Sequence, residues 1–468
     1  MTARSKQIMV DTATQQPARG LIPDDRQEPA GELRRRLGLG SAAAAVAGEA
    51  IAVGIFLTPA GMARALGSPF WLLAVWVAMG VMALCGAFCY GELAARFPAA
   101  GGGYVYLREA YSPRVAFLYG WKCFLVLDPG ITAALAVGLA AYVSYLTPLS
   151  SVAMKLVAIL AILVVAALNI RHARLGAGLL RWLTWAKLAV LGLLPFWALA
   201  RGAGNWSNFV PFVAQRPGSE PLVAALAASF VAAFFTFGGW WDAAKIAGEV
   251  RDPERTLPRA LTLGVLAVTG VYILMSVMFI YVVPMGSAGS DETFVAQAGE
   301  RVFGLAGGKI LAMIVVACVL GSLAAVIMTA PRVYYAMARD GVFFHSVAQL
   351  HPRFGTPARA IALQAIVASL LVALGTFSQI IAYFIFVAVV FIGMTVAALF
   401  VLRRRPGDQP PALARGYPVA PAIFLTLVIA LLLLLAFRNP TQAFLGTAVV
   451  ALGIPVFALF RARRQPPS

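Results

Sequence analysis

Apolar runs of about 20 residues recur along this chain from Leu37 to Phe460. A helix rising about 1.5 Å per residue crosses a hydrocarbon core roughly 30 Å thick with each such run. Hydrophobic residues make up 61% of the 468 residues, charged residues 12%, and the mean hydropathy is +0.84. Soluble domains carry about 25% charged residues, so too little polar material remains to coat several soluble domains. Stretches such as 154–168 and 425–437 do not alternate, which excludes a transmembrane barrel with its alternating strands of about ten residues. The expected class is an all-α, polytopic membrane protein.

Gly, Pro and charge clusters serve as punctuation and divide the chain into twelve helices: 37–66, 69–97, 113–146, 151–169, 174–200, 222–250, 257–284, 307–338, 358–375, 378–402, 418–437 and 442–461. With the N-terminus inside, 27 of the 37 Lys and Arg residues fall on the inner side and 7 on the outer, leaving Lys122, Lys187 and Lys245 within spans. That asymmetry predicts a cell-membrane protein with both termini in the cytoplasm. The net charge of +18 is then mainly a topology signal, with attraction of Arg34, Arg35 and Arg36 to anionic lipid as an additional expectation. Nucleic-acid binding is not expected, because only short loops could carry it. Residues 1–36 read as a disordered cytoplasmic tail, with no apolar core and cleavage site of a signal peptide, and 462–468 as a short cytoplasmic end. Cys85, Cys89, Cys123 and Cys318 lie in apolar runs as small buried hydrophobes, so neither a disulfide framework nor a metal site is expected.

Two spans carry helix-breaking residues at mid-depth. The first contains Ala52-Val53-Gly54-Ile55-Phe56-Leu57-Thr58-Pro59, the sixth Phe235-Thr236-Phe237-Gly238-Gly239-Trp240-Trp241. Gly costs a helix roughly 1 kcal/mol and Pro roughly 3, and unwound backbone at that depth is tolerated only where it lines a cavity or a partner helix. Either break alone is also compatible with a simple kink. Their corresponding places in two five-helix halves point to an inverted-repeat transporter with its site at the breaks. A half-helix starting at Ile55 presents free N–H groups to an anion, and the carbonyls of Ala50, Ile51 and Phe235 suit a cation. An α-amino acid zwitterion carries both charges.

From about Gly38 to Arg405 the chain resembles the amino acid-polyamine-organocation superfamily, particularly its bacterial permeases and its L-type and cationic amino acid transporters. The carriers are Gly54-Ile55-Phe56 with Pro59, Tyr90-Gly91-Glu92-Leu93 through Phe97-Pro98, Gly101-Gly102-Gly103-Tyr104-Val105-Tyr106, and Phe237-Gly238-Gly239-Trp240. Glu249 with Arg251-Asp252-Pro253-Glu254-Arg255, and Pro331-Arg332-Val333-Tyr334 to Gly341, complete the set. The resemblance implies a LeuT-type core over 37–405, with repeats at about 37–200 and 222–402 and two peripheral helices over 406–461. It implies substrate contacts at Ala52, Val53, Gly54, Phe235 and Gly238, and an aromatic cap, here Trp240, closing from outside. Ala52-Val53-Gly54 departs from the family's usual Gly-Ser/Thr/Ala-Gly, and Trp241 stands where relatives carry a smaller polar residue, as pocket wall or gate.

A charge at a helix centre costs at least about 2.5–3.5 kcal/mol, so each one needs a reason. Lys187 matches the lysine that proton-coupled members place near the unwound first helix; the alternative is a structural pair with Glu49 or Asp128. Glu49 lies one turn before the break, where it can meet Lys187 or a basic substrate. Asp128 precedes Pro129, whose missing N–H opens a gap for water. Asp242 and Lys245, at i and i+3, are expected to neutralise each other. Arg96, Glu249, Asp252 and Arg255 are candidates for a cytoplasmic gate, or else solvated surface pairs. His172, His345 and His351 fall in or beside loops, away from any mid-depth relay.

The reading is therefore a secondary amino acid permease, proton-coupled by alternating access, needing no cofactor and no obligate protein partner. A pH-independent exchanger and a polyamine or cationic amino acid carrier are the alternatives. An enzyme would need a nucleophile with a base at one depth, and a channel a repeated filter; neither pattern occurs. A sensor or structural subunit on a transporter fold is separated from a carrier by saturable uptake.

Overall fold

A computed structural model describes residues 35–462 except 53, 172, 286–293, 376, 408–409, 412–415 and 439. Val53, His172 and nearly all of both expected tails lie outside the described residues. In chain order the helices are α1 (Leu39–Ala50), α2 (Gly54–Leu66), α3 (Pro69–Arg96), α4 (Gly103–Ala110), α5 (Pro113–Lys122), α6 (Asp128–Leu146), α7 (Ser151–Arg171), α8 (Ala173–Ala200) and α9 (Leu222–Phe237). After a 3-10 segment (Trp240–Glu249) follow α10 (Pro253–Val282), α11 (Phe294–Thr329), α12 (Pro331–Arg339), α13 (Ala358–Leu374), α14 (Phe377–Arg403), α15 (Val419–Arg438), α16 (Pro440–Ala451) and α17 (Gly453–Ala462).

Among the described residues nine helices are long and apolar enough to cross a membrane, and α1 with α2, bent by 43°, makes a tenth. The apolar stretches Thr184–Ala200 and Ala358–Leu374, in the fifth and ninth expected spans, are shorter. Local starts follow the sequence: Ser68 and Ser112 cap α3 and α5 by accepting from the N–H groups of Trp71 and Val115, each with Pro at the first helical position. Leu156, Leu160, Leu193 and Phe196 on α7 and α8 are exposed, as side chains facing lipid rather than water would be.

The expected third span is continuous over Pro113–Leu146, but its middle, Cys123–Leu127, is a π-helical turn. Pro129 lacks the N–H that an α-helical ladder would use, and the wider turn absorbs the defect, with the Asp128 N–H bonding the Cys123 carbonyl. No open gap is needed there.

The two broken spans meet half against half. α1 packs on the 3-10 segment and α2 on α9, and α3, α8, α10 and α11 surround them. Gly239 adopts φ +103°, a region that suits glycine, and a Cβ there would come within 3.0 Å of the Glu49 backbone. Just outside the helices, Leu37 forms a parallel bridge with Val250. α4 lies within the expected loop after α3, and the Gly101-Gly102 turn before it approaches the 3-10 segment closely. The Gly101 N–H bonds the Lys245 carbonyl at 3.0 Å, and a Cβ on Gly102 would stand 3.0 Å from the Lys245 nitrogen.

Candidate functional site

A cavity lies at the two breaks, lined from both broken spans. Ala52, Gly54, Phe235, Gly238 and Trp241 line it as the sequence predicts, together with Glu49. The first turn of α2 begins at its edge with Gly54, and the opening N–H groups of a helix have no partner within it. Leu127, Ile131, Leu135, Val326 and Ile385 make the opposite wall apolar. Trp241 is a wall: its ring stacks on Phe234 with centroids 5.9 Å apart.

The freed carbonyls do not stand open for an external cation, contrary to expectation. Lys187 Nζ donates to the carbonyls of Gly48 (2.7 Å) and Ile51 (2.6 Å) and to Ser322 Oγ (3.0 Å). Three acceptors match the three protons of an ammonium. The Tyr272 hydroxyl lies 2.6 Å from the Ala50 carbonyl and 2.9 Å from that of Thr236, joining both broken spans. The Phe235 carbonyl accepts the N–H of Gly238. Protein donors thus satisfy backbone that would be costly to leave bare in a dry interior.

A second buried charge group reaches the cavity through Asp242. Lys245 Nζ is 2.8 Å from Asp128 Oδ1 and 2.9 Å from Asp242 Oδ1, and Tyr334 donates to Asp128 Oδ2 at 2.9 Å. Asp128 therefore pairs with Lys245, whereas Lys187 is held by carbonyls and a serine. Lys122 Nζ sits 4.5 Å from the centre of the Tyr119 ring, a cation–π arrangement. Glu49 accepts from the Thr329 hydroxyl at 2.6 Å.

Other candidates are placed apart from the cavity. Trp240 is buried in the bundle against Tyr90 and Phe424, with ring centroids 5.3 and 6.4 Å away. It belongs to the half of the sixth span that leads to Glu249, and its ring packs between α3 and α15. Phe237 packs on Tyr272 and Trp76, and Ile55 is fully buried. Among the gate candidates, Arg96 donates to Glu92, which also binds Arg403 (2.7 Å), and Glu249 accepts from Arg332 (2.7 Å). Asp252 and Arg255 are exposed.

Sequence reasoning missed Tyr272, Ser322 and Thr329. Each is one hydroxyl among several in an apolar span, and nothing in the local pattern marks which one reaches across the bundle. Asp242 was read only as a partner of Lys245, and its place on the cavity wall was not anticipated.

A family model described as amino acid permease matches residues 37–460. The chain is 30% identical over 446 residues to the b(0,+)-type amino acid transporter 1 of Homo sapiens, covering 93% of this chain and 90% of that one. It is 27% identical over 395 residues to the serine/threonine exchanger SteT of Bacillus subtilis, covering 84% and 89%. Over 459 residues it is 27% identical to the large neutral amino acids transporter small subunit 2 of Mus musculus, covering 96% and 86%.

Proposed function

We propose that this chain, which belongs to the amino acid permease family, is a secondary carrier that moves amino acids by alternating access and couples them to protons through Lys187. The observation that carries the reading is the cavity at the paired breaks, with Gly54 at its edge and Lys187 bonded to the carbonyls behind it. An ammonium in that place supplies the charge of a bound cation. Losing its proton would release the Gly48 and Ile51 carbonyls and alter how α1 is held, which biases a two-state equilibrium. The same reading arranges 37–200 and 222–402 as inverted five-helix repeats of LeuT type, with twelve spans in all, two of them peripheral, and both termini in the cytoplasm. It assigns no chemical transformation of the cargo.

A second reading, exchange without proton movement, is favoured by the full set of acceptors around Lys187, which also suits a permanently charged structural lysine. Purified protein in proteoliposomes separates the two. Saturable uptake driven by an imposed pH gradient, without sodium and without internal amino acid, supports coupling. Uptake that requires internal amino acid and ignores pH supports exchange. Reconstituting the chain by itself also decides whether it transports without a second polypeptide, an issue raised by the small-subunit name of one relative.

A further inference from the structure

Glu49 ends the last turn of α1, Asp242 follows the second break, and both line the cavity. Their exposures are 2% and 0%. Thr329 satisfies one oxygen of Glu49 and Lys245 stands 2.9 Å from Oδ1 of Asp242, while Glu49 Oε2 and Asp242 Oδ2 have no hydrogen-bond partner. The two carboxyl groups reach the same cavity from different segments, Glu49 from α1 and Asp242 from the 3-10 segment. Ionised carboxylates only accept, so the bare oxygens of two such groups in one cavity lack a donor unless one of them holds a proton.

The surrounding cations do not fill that need. Lys245 is shared between Asp128 and Asp242, so two carboxylates already draw on that ammonium. Lys187 is engaged with Gly48, Ile51 and Ser322, and Lys122 lies over the Tyr119 ring. Acceptors left bare in a buried site are costly, and a positively charged group with several N–H donors answers both the charge and the missing protons. The break carbonyls that could otherwise receive such a group already bond Lys187, Ser322 and Tyr272. Leu135, Val326 and the Trp241 ring supply apolar wall beside the acids for the hydrocarbon part of a ligand.

We propose that Glu49 and Asp242 together form the seat for an ammonium group of the cargo. The inference rests on the reading of the chain as an amino acid carrier. The ammonium is either the α-amino group of any amino acid or the terminal amine of a basic side chain, and the ligands tested tell the two apart.

Binding of L-leucine, L-lysine and 1,5-diaminopentane to the purified full chain in lipid nanodiscs tests it, with Glu49→Gln and Asp242→Asn beside the wild type. Each variant should weaken binding by about tenfold or more, the scale of a lost charge-assisted hydrogen bond. Weakening of leucine together with lysine assigns the seat to the α-amino group; weakening of lysine and the diamine alone assigns it to the side-chain amine. Unchanged affinity for all ligands in both variants overturns the seat. A measurement on the wild type alone guards against misfolded variants: 4-methyl-2-oxopentanoate, which is leucine without its amine, should not displace leucine if the seat takes the α-amino group, and equal competition by it together with no displacement of lysine by 1,5-diaminopentane overturns the seat. Wild-type amino acid uptake with unaltered variant affinities refutes the seat and keeps the carrier. Diamine binding that depends on both acids, with no amino acid uptake, refutes the carrier and keeps the seat.

Discussion

The Lys187 ammonium lies 2.6 Å from the Ile51 carbonyl oxygen, at the residue where α1 stops. A cation at a helix C-terminus complements the partial negative charge there. In an apolar interior the same contact satisfies carbonyls that have lost their intrahelical partners. Lys187 thus does for the break what a bound metal cation would do, with a group that can also release a proton.

Lys187→Ala is expected to abolish the response of uptake to an imposed pH gradient. Lys187→Arg should fail as well, since guanidinium stays protonated at working pH. Removing sodium should leave the wild type unaffected. Ser322→Ala removes one acceptor of three and should retain a weakened response. Sodium-dependent uptake by the wild type, or intact pH coupling in Lys187→Ala, refutes the assignment.

Gly54→Val should eliminate counterflow at normal membrane insertion, and Gly54→Ala should already reduce it severalfold. Space around the cargo is only part of the reason. A Cβ at Gly54 would stand 2.7 Å from Thr236 Cα and 2.9 Å from its Oγ1, so the two broken spans would have to part. Adding Thr236→Ala should not restore activity, because the nearest obstacle is backbone. Wild-type counterflow in Gly54→Val would move the cargo path elsewhere.

Trp240→Ala and Trp241→Ala should differ in kind. Trp240 is 3% exposed and its ring fills the space beside Gly86, where a Cβ would come within 2.4 Å of it. Its loss should cost about 3–5 kcal/mol of stability, as large-to-small core changes do, seen as a lower melting temperature in detergent with cargo affinity little altered. Trp241→Ala enlarges the cavity and should alter affinity more than melting. The reverse pattern would restore Trp240 as a gate.

Tyr272→Phe deletes one hydroxyl that serves both broken spans. Leaving the Ala50 and Thr236 carbonyls short of a donor should cost about 1–3 kcal/mol. A melting temperature equal to that of the wild type would show the hydroxyl to be dispensable.

The positions of both breaks were legible because Gly and Pro are conspicuous in apolar runs, and Lys187 because a lone ammonium there is expensive. Which neighbours face the cavity was not legible. A break resets the helical phase: Gly239 at φ +103° sends Trp241 to the cavity and Trp240 into the packing, although they are adjacent. The donors to the broken backbone come from far along the chain, Tyr272 being 222 residues from Ala50 and Lys187 136 from Ile51. Likewise Asp128 meets Lys245 across 117 residues, a pairing that spacing within one helix could not reveal.

The bridge between Leu37 and Val250 is reinforced by backbone bonds from Arg36 and Leu37 to the Glu249 carbonyl and from Arg251 to the Leu37 carbonyl. The entry to α1 and the exit of the 3-10 segment are therefore stapled, and that end of the bundle has one fewer independent moving part. Tilting one strand of the staple drags the other, so a passage there opens either by α3 and α10 drawing back from a joined unit or by the staple unzipping first. Deuterium exchange at the Arg36, Leu37 and Arg251 amides distinguishes the routes during turnover: lasting protection in the first, exchange with each cycle in the second.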